Sequence, residues 1–145
     1  ITNEKFIPYI VEASYGLDRI ILALLDNAYQ IEILPDGTER EILKFNPKIA
    51  PFKVAVLPLI KKTHAEKTHE LYRTLAKHFR VMYDETGSIG KRYRRQDAIG
   101  TPFCVTVDDN TLVNNTVTVR FRDSMEQEVV ERGDNFFRCS YFKRL

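Results

Sequence analysis

The sequence contains no tryptophan and only two cysteines among its 145 residues. Two isolated cysteines do not form a disulfide framework, and Cys104 stands in an apolar run where a free thiol behaves as a small buried hydrophobic group. No apolar run approaches the about 20 residues that a membrane span requires, and the chain shows no signal peptide. These absences predict a protein of a reducing, cytoplasmic environment with no membrane partner.

The chain also has little excess charge, with 22 lysines and arginines against 20 aspartates and glutamates and a formal net charge of +2. Any affinity for a polyanion must therefore come from a local patch of cations rather than from the whole surface. Histidine is scarce too, and His64 and His69 are five residues apart, which places them on different faces of a helix. We therefore expect no metal site.

The first third of the sequence predicts a strand, a helix and a hairpin. We expect a strand at Phe6–Val11, and a helix that opens near Ser14 and Gly16 and is apolar on more than one stripe, so that it should be buried. Strand-like runs then flank the turn Pro35-Asp36-Gly37. Two prolines between Asn46 and Pro51 make that segment the expected domain boundary, with domains at residues 1–48 and 49–145, and we interpret the chain as a piece of a longer protein.

The remainder alternates strands and helices, which predicts an α/β fold with a mostly parallel sheet. The unbroken apolar run Phe52–Leu59 is typical of a central strand that is covered on both faces. Thr63 and Glu66 have the spacing of a capping box at a helix start. The other expected elements are a strand at Arg80–Tyr83, a short basic helix that is entered at Gly87 and Gly90 and stopped by Gly100 and Pro102, strands at Phe103–Val107 and Thr116–Arg122 joined by a loop at Asp108–Asn115, and a closing helix that starts at Asp123 and Glu126 and ends at Gly133. The tail Asp134–Leu145 has no predicted element.

Two parts of this pattern carry a concentration of cations. In the short basic helix stopped by Gly100 and Pro102, Ile89, Tyr93 and Ile99 can face inward while the cations fan outward; these are Lys91, Arg92, Arg94 and Arg95. Such a run is commonly only a solvated face, but it also suits phosphate binding. In the strand Thr116–Arg122 one face is predicted to be core and the other basic.

The start of the first helix is the third polar cluster. Glu12, Asp18 and Arg19 come together where a strand is expected to end and a helix to begin, a place where free backbone N–H groups favour anions. Arg19 could hold a phosphate in a bidentate clamp. Capping by Asp18 and an ordinary surface ion pair with Arg19 explain the same residues equally well.

Four segments in collinear order resemble one family. EASYGLDRIILALL at Glu12–Leu25 resembles the third signature motif of class II aminoacyl-tRNA synthetases, in the form found in glycyl-tRNA synthetases. EILKFNPKIAPFKVAVLPL at Glu41–Leu59 is similar to the junction between the catalytic and anticodon-binding domains of that family. GKRYRRQDAIGTPFCVTVD at Gly90–Asp108 and NTVTVRFRDSMEQE at Asn115–Glu128 resemble the body of the anticodon-binding domain.

The resemblance implies a three-layer α/β anticodon-binding domain with a mixed, mostly parallel sheet, preceded by the last strand and helix of a class II catalytic domain. It implies that Arg19 is the catalytic arginine that neutralises the phosphates of ATP, together with Gly16, Leu17 and Asp18 at the nucleotide, and that Glu12 and Ser14 line a glycine pocket. ATP with Mg²⁺ is the implied cofactor of the full-length enzyme, a homodimer. The first two class II motifs are absent from this sequence, so we expect no activity and no cofactor for this segment alone.

The resemblance also implies recognition of tRNA(Gly), whose anticodons share two cytosines. Unpaired bases are stacked and hydrogen-bonded on their Watson–Crick edges, and cytosine needs both an acceptor and a donor. The residues predicted to read the bases are Arg120, Arg122, Asp123 and Glu126. Lys91, Arg92, Arg94 and Arg95 are predicted to hold backbone phosphates. The alternatives are the equivalent domain of another class II synthetase and a stand-alone module that binds RNA or protein.

Overall fold

The computed structural model describes residue 5 and residues 7–132. Within these residues the helices are α1 (Leu17–Ala28), α2 (Lys61–Leu75), α3 (Ile89–Ile99) and α4 (Asp109–Asn114). The strands are β1 (Tyr29–Ile33), β2 (Glu39–Leu43), β3 (Val54–Pro58), β4 (Val81–Tyr83), β5 (Phe103–Val107), β6 (Thr116–Phe121) and β7 (Gln127–Glu131). The predicted tail at Asp134–Leu145 lies outside the described residues.

A five-stranded mixed sheet in the order β4-β3-β5-β6-β7 forms the centre of the fold. Strand β3 pairs in parallel with β4 and with β5, whereas β5–β6 and β6–β7 are antiparallel. Every residue of β3 and of β5 is buried. The expectation of a covered central strand at residues 52–59 is therefore confirmed.

The two faces of the sheet are covered by different helices because side chains alternate along a strand. Val54 and Val56 of β3 join Leu71 and Leu75 of α2 in the larger core cluster. Ala55 and Leu57 face the other way, together with Cys104, and Ile89 and Tyr93 of α3 pack against them. The fold is the three-layer α/β sandwich that was predicted, with α2 on one face and α3 on the other.

The antiparallel hairpin β1–β2 forms a separate two-stranded sheet that packs on α3. Its turn is closed by Asp36, whose carboxylate accepts hydrogen bonds from the backbone N–H and the hydroxyl of Thr38. Its far end meets the end of α3, where Gly100 adopts a left-handed conformation with φ of 86°. The hairpin predicted around Pro35-Asp36-Gly37 is confirmed.

The amino-terminal stretch differs from the prediction. The described residues 7–11 are exposed and form no strand, and Phe6 lies outside the described residues. Helix α1 forms where expected, but of its residues only Ala28 is buried. The reason is that the hairpin and the segment at residues 45–51 cover only its carboxyl-terminal end, where Ala28 packs on Phe45 and Ala50.

Helix α2 begins two residues before the predicted capping box. Its N-cap is Ile60, with no side-chain cap, and the Ile60 backbone N–H donates to Nδ1 of His64 at 3.0 Å. The other ring nitrogen of His64 lies 3.0 Å from Oδ1 of Asp109. A buried histidine therefore fixes the start of α2, and the capping role expected of Thr63 and Glu66 is wrong.

Two predictions near the end of the described chain are also wrong. The segment expected to be a loop contains α4, which is started by a capping box between Asp108 and Thr111. Asp123 and Glu126 do not open a helix but belong to the turn between β6 and β7. Met125 has φ of 60° in this turn, a conformation incompatible with a continuing helix, and the β-branched pair Val129 and Val130 follows in a strand.

No helix formed by the described residues is both long enough and apolar enough to span a membrane.

Candidate nucleic-acid interface

An open cleft of about 290 Å³ lies beside the turn that joins β6 to β7. The turn is held by backbone hydrogen bonds from Met125 N–H to the Phe121 carbonyl and from Phe121 N–H to the Glu126 carbonyl. The residues that line the cleft are Pro47, Pro102, Phe103, Phe121, Arg122, Asp123, Ser124, Glu126 and Glu128. The structure thus brings together three of the four residues predicted to read bases.

The wall of this cleft is apolar and its rim is acidic. Phe103 and Phe121 meet edge to face, with ring centroids 5.8 Å apart, and two prolines extend the apolar surface. Asp123 and Glu126 are exposed at the rim. An aromatic wall for stacking next to carboxylates that accept hydrogen bonds suits a flat ring that carries an amino group, such as an unpaired base.

Arg122 lies behind the cleft rather than across it. Its guanidinium donates to the carbonyls of Gly100 (2.9 Å) and Phe45 (2.9 Å) and to Oδ1 of Asp123 (2.7 Å). A further bond of 3.2 Å reaches the Leu43 carbonyl. Because these four bonds engage all three nitrogens of a buried side chain, Arg122 orients Asp123 and attaches the turn to the hairpin.

Arg120 is buried in a cluster centred on Asp97 of α3. Its two terminal nitrogens donate to the Asp97 carboxylate at 2.9 and 3.1 Å, and Nε of Arg40 donates to the same group at 3.0 Å. Its guanidinium carbon also lies 4.7 Å from the centre of the Tyr93 ring. Burial alone would lower the pKa of Arg120, but the hydrogen bonds and charge of Asp97 outweigh burial and raise it.

The predicted basic face of β6 is therefore wrong, since Arg120 and Arg122 are both buried. Their predicted contacts with RNA bases stay predictions, and such contacts would require these side chains to leave the partners described above. Asp123 and Glu126 are already accessible.

The cations of α3 do not all fan outward either. Arg92 is buried, and its guanidinium donates to the carbonyls of Pro58 and Gly87. Arg94 donates to the Glu39 carbonyl of the hairpin at 2.9 Å, and Arg95 donates through two nitrogens to Asp84. Lys91 is exposed. The outward fan is thus wrong for Arg92, and phosphate binding by the four cations stays a prediction.

The six residues predicted to contact ATP and glycine lie in one short segment, at Glu12, Ser14, Gly16, Leu17, Asp18 and Arg19. All are exposed, and the first three precede α1, with Gly16 as its N-cap. The carbons of the Arg19 side chain lie against Gly16, 3.8 Å from the position that a Cβ on this glycine would occupy. No side chain among the described residues caps the N-terminus of this helix, and the individual roles stay predictions.

No group of three or more His, Cys, Asp or Glu side chains in the described part of the chain is placed to hold a metal ion. Cys104 is a buried free cysteine, as predicted, and burial raises the pKa of its thiol to about 12.

Four residues of this region were not predicted as part of the site: Asp97, Arg40 and the two phenylalanines of the cleft. Asp97 follows a run of charged residues that is typical of an exposed surface, and no local sequence feature indicates that its side chain is buried. Its position one turn after Tyr93, on the face that carries Ile89, was the available signal. Phe103 and Phe121 are adjacent only through the pairing of β5 with β6.

Residues 53–136 match the family model described as "Anticodon binding domain", which is more than half of the chain. The chain belongs to this family. The matched residues cover the whole central sheet, and with it the cleft, apart from Pro47.

Several curated relatives support the family assignment. A glycine–tRNA ligase from Clostridium tetani is 56% identical over 126 residues, which is 87% of this chain and 27% of the relative. A glycine–tRNA ligase from Chlorobaculum tepidum is 59% identical over 128 residues, with 88% and 27% covered. One from Geobacillus kaustophilus is 57% identical over 133 residues, with 92% and 29% covered. These matches confirm the resemblance to glycyl-tRNA synthetases, and the chain spans less than a third of the length of these relatives.

Among solved structures, the RNA binding domain of threonyl-tRNA synthetase from Cryptosporidium parvum Iowa II is similar, with a TM-score of 0.58 and 22% identity. The match covers 70% of this chain and 24% of that one. It shows that the two chains share a fold over the matched part.

Proposed function

We propose that the chain is the C-terminal portion of a glycine–tRNA ligase and that its cleft binds a base of the tRNA(Gly) anticodon. The observation that carries the proposal is the cleft at the β6–β7 turn, where an aromatic wall and accessible carboxylates lie within the anticodon-binding region. The curated relatives support glycine as the amino acid of the parent enzyme. A role in protein synthesis implies a cytoplasmic location.

In this proposal the base in the cleft is a cytosine of the anticodon. Its ring can stack on the Phe121 side of the wall, and its exocyclic amino group can donate to Asp123 or Glu126, because an ionised carboxylate only accepts. In this proposal Arg122 lies behind the cleft and orients the Asp123 carboxylate through its hydrogen bond. Arg120 helps to position β6 through its hydrogen bonds to Asp97. Lys91, Arg94 and Arg95 are proposed to contact backbone phosphates.

The segment before α1 is proposed to serve the catalytic site of the full-length homodimer. There Arg19 would neutralise the phosphates of ATP bound with Mg²⁺, beside Gly16, Leu17 and Asp18, and Glu12 and Ser14 would contact glycine. An exposed helix N-terminus with an adjacent arginine supports this role, because both favour an anion. ATP-dependent glycylation by the full-length protein is part of the same proposal.

Binding to an RNA stem-loop that carries the glycine anticodon tests the proposal, beside a stem-loop with both cytosines replaced, at one salt concentration. We expect each replaced base that is read to weaken binding by about 1–3 kcal/mol. Asp123→Ala/Glu126→Ala should remove most of one such difference, because neither carboxylate then remains to accept the amino group, whereas the control Glu131→Ala, at an exposed residue of β7 outside the cleft, should leave it intact. Equal binding of both RNAs by the unmodified chain would refute base reading.

A further inference from the structure

The amino ends of β3, β4 and β5 and the carboxyl end of β6 lie along one edge of the central sheet. The two halves of this edge differ in their side-chain chemistry. Lys53 precedes β3 and Arg80 precedes β4, and the Lys53 backbone N–H donates to the Arg80 carbonyl at 2.8 Å. Along the same edge Pro102 precedes β5 and Arg122 follows β6, with the Arg122 N–H bonded to the Pro102 carbonyl at 3.0 Å. The cleft occupies the β5–β6–β7 half, so the residues before β3 and β4 form its continuation.

The β3–β4 half is basic. Lys53, Lys77 and Arg80, called here the basic edge, line an open depression of about 440 Å³ with Ala76, His78 and Phe79. Lys77 and Arg80 are exposed. Throughout the part of the chain that the structure describes, none of these three cations forms an ion pair with a carboxylate. By contrast, Arg95 of α3 is paired with Asp84.

The cations of the basic edge repel one another in the absence of an anion. The pKa of Lys53 is lowered first by burial and then by the charge of Arg80. A chain with a net charge of only +2 thus concentrates at one place three cations that have no carboxylate partner among the described residues. A bound anion would relieve this repulsion, which gives the surface a preference for phosphate groups.

The basic edge is physically joined to the cleft. The Lys53 ammonium donates to the carbonyls of Pro47 and Lys48, both at 2.7 Å, and Pro47 is a wall residue of the cleft. Neighbouring strands are about 4.8 Å apart, so three steps from β4 to β6 span roughly 15 Å. That distance is on the scale of one or two nucleotides of an extended RNA strand.

We propose that the basic edge binds backbone phosphates of the RNA strand whose base occupies the cleft, so that this strand crosses the amino ends of β3 and β4. The inference rests on the proposed function for the base, and it adds this edge to the phosphate contacts proposed for α3. Phosphate contacts of this kind position an RNA without reading its sequence.

The double variant Lys77→Ala/Arg80→Ala tests this path against Lys61→Ala/Lys62→Ala. The control pair removes the same charge from the other end of α2, about 20 Å away at 1.5 Å per residue. Lys62 is exposed, and Lys61 is an exposed side chain that pairs with the half-buried Glu85, which keeps its hydrogen bond from the Tyr83 hydroxyl when the lysine is removed. Both stem-loops described above serve as ligands, and Kd is measured from about 50 to 200 mM salt.

We expect Lys77→Ala/Arg80→Ala to weaken binding of both stem-loops by the same factor and to reduce the slope of log K against log salt by about 0.7 for each phosphate that is no longer bound. The ratio between the two RNAs should not change, and the control pair should keep the original slope. Urea unfolding of each variant checks that the fold is retained.

Two results would overturn the inference. One is an unchanged slope in Lys77→Ala/Arg80→Ala, and the other is an equal loss in the control pair, which would assign the effect to net charge. The proposed base reading would survive either result if the chain still discriminates between the two stem-loops. Conversely, a reduced slope without any discrimination supports the phosphate surface and removes the base assignment.

Discussion

The Asp97 side chain lies at the centre of a buried charge cluster. Its two oxygens accept three hydrogen bonds from the guanidinium groups of Arg40 and Arg120. Arg40 also donates to Glu32 and to the Arg122 carbonyl, so the hairpin, α3 and β6 meet at this carboxylate. A buried ion cluster adds little net stability, but loss of one partner leaves an uncompensated charge in the interior.

Asp97→Asn keeps the shape of the side chain and removes its charge. We expect the free energy of unfolding to fall by about 3–5 kcal/mol, because two arginines would remain buried beside a neutral amide. Urea denaturation measures the change. Asp26→Asn, an exposed residue of α1, is the control and should change stability by less than about 0.5 kcal/mol. A loss no larger than that of the control would show that the cluster is dispensable.

The Cys104 thiol offers a second residue-level test. Burial raises its pKa from 9.0 to about 12, so at pH 8 the folded protein holds about 10³-fold less thiolate than an exposed thiol would. In a Cys139→Ser background, we expect a thiol reagent to react with Cys104 at least about 100-fold more slowly in the folded protein than in urea, because burial also blocks access.

The raised pKa of this thiol also determines how its contribution to folding stability changes with pH. A raised pKa in the folded state favours folding below pH 9.0, and this contribution is lost as the pH rises towards 12. Reaction rates measured from pH 7 to 10 should therefore level off above about pH 9 in urea, whereas in the folded protein they should stay lower and keep rising by about tenfold per pH unit. Equal rates in the two states would contradict the buried position of Cys104.

At the scale of single elements, the end of α3 depends on Gly100. This residue has φ of 86°, and a Cβ on it would lie 2.7 Å from both the Leu43 carbonyl oxygen and a ring carbon of Phe45. Gly87 has a similar φ of 76°, but a Cβ there would meet only the Lys91 side chain at 3.9 Å. A comparison of alanine substitutions at these two glycines therefore separates the free-energy cost of the left-handed backbone conformation from the cost of close packing on the hairpin.

We expect Gly87→Ala to cost about 1–2 kcal/mol, which is the penalty for a left-handed conformation. Gly100→Ala should cost about 1–3 kcal/mol more, since the hairpin backbone must move away. Thermal or urea unfolding of both variants measures the difference. Equal losses would show that the hairpin can shift without cost and is only loosely packed against α3.

Elements with a clear apolar pattern could be predicted from the sequence. The run at residues 52–59 and the alternation of Val117, Val119 and Phe121 each identified the right strand, because burial of one or both faces leaves a periodic signature. The helix predicted to start at Asp123 and Glu126 was wrong, because the spacing of a capping box also occurs in a turn. Only the pairing of β7 with β6 and the left-handed Met125 decide between the two.

The candidate site was predictable only in part for the same reason. The local sequence places Arg122, Asp123 and Glu126 together, and the structure keeps these three at one cleft. Whether an arginine faces solvent or interior depends on a distant carboxylate or carbonyl, as Asp97 shows for Arg120 and Phe45 for Arg122. A charge pattern carries no information about such long-range partners.

At the scale of the whole molecule, the hairpin joins the central sheet more firmly than it joins α1. Arg122 donates to carbonyls at the end of the hairpin, Arg40 reaches Asp97 beneath α3, and Lys44 pairs with Glu32 within the hairpin. Helix α1 contributes mainly Ile21, Leu24 and Leu25, each at least 40% exposed. We therefore expect the cooperative unit to begin near β1, ahead of the domain boundary predicted between residues 48 and 49, and that boundary stays a prediction.

Two truncated chains separate these possibilities. Residues 28–145 should unfold within about 1 kcal/mol of the full chain, because the half-buried apolar groups of α1 only offset the conformational entropy of ordering that helix. Residues 49–145 should lose more than about 3 kcal/mol, since Asp97 then keeps a single arginine and Arg122 loses the carbonyls of Leu43 and Phe45. Urea midpoints measure both changes. If residues 49–145 instead unfold at the same urea concentration as the full chain, the hairpin is separable and the boundary at residues 48 and 49 is the physical one.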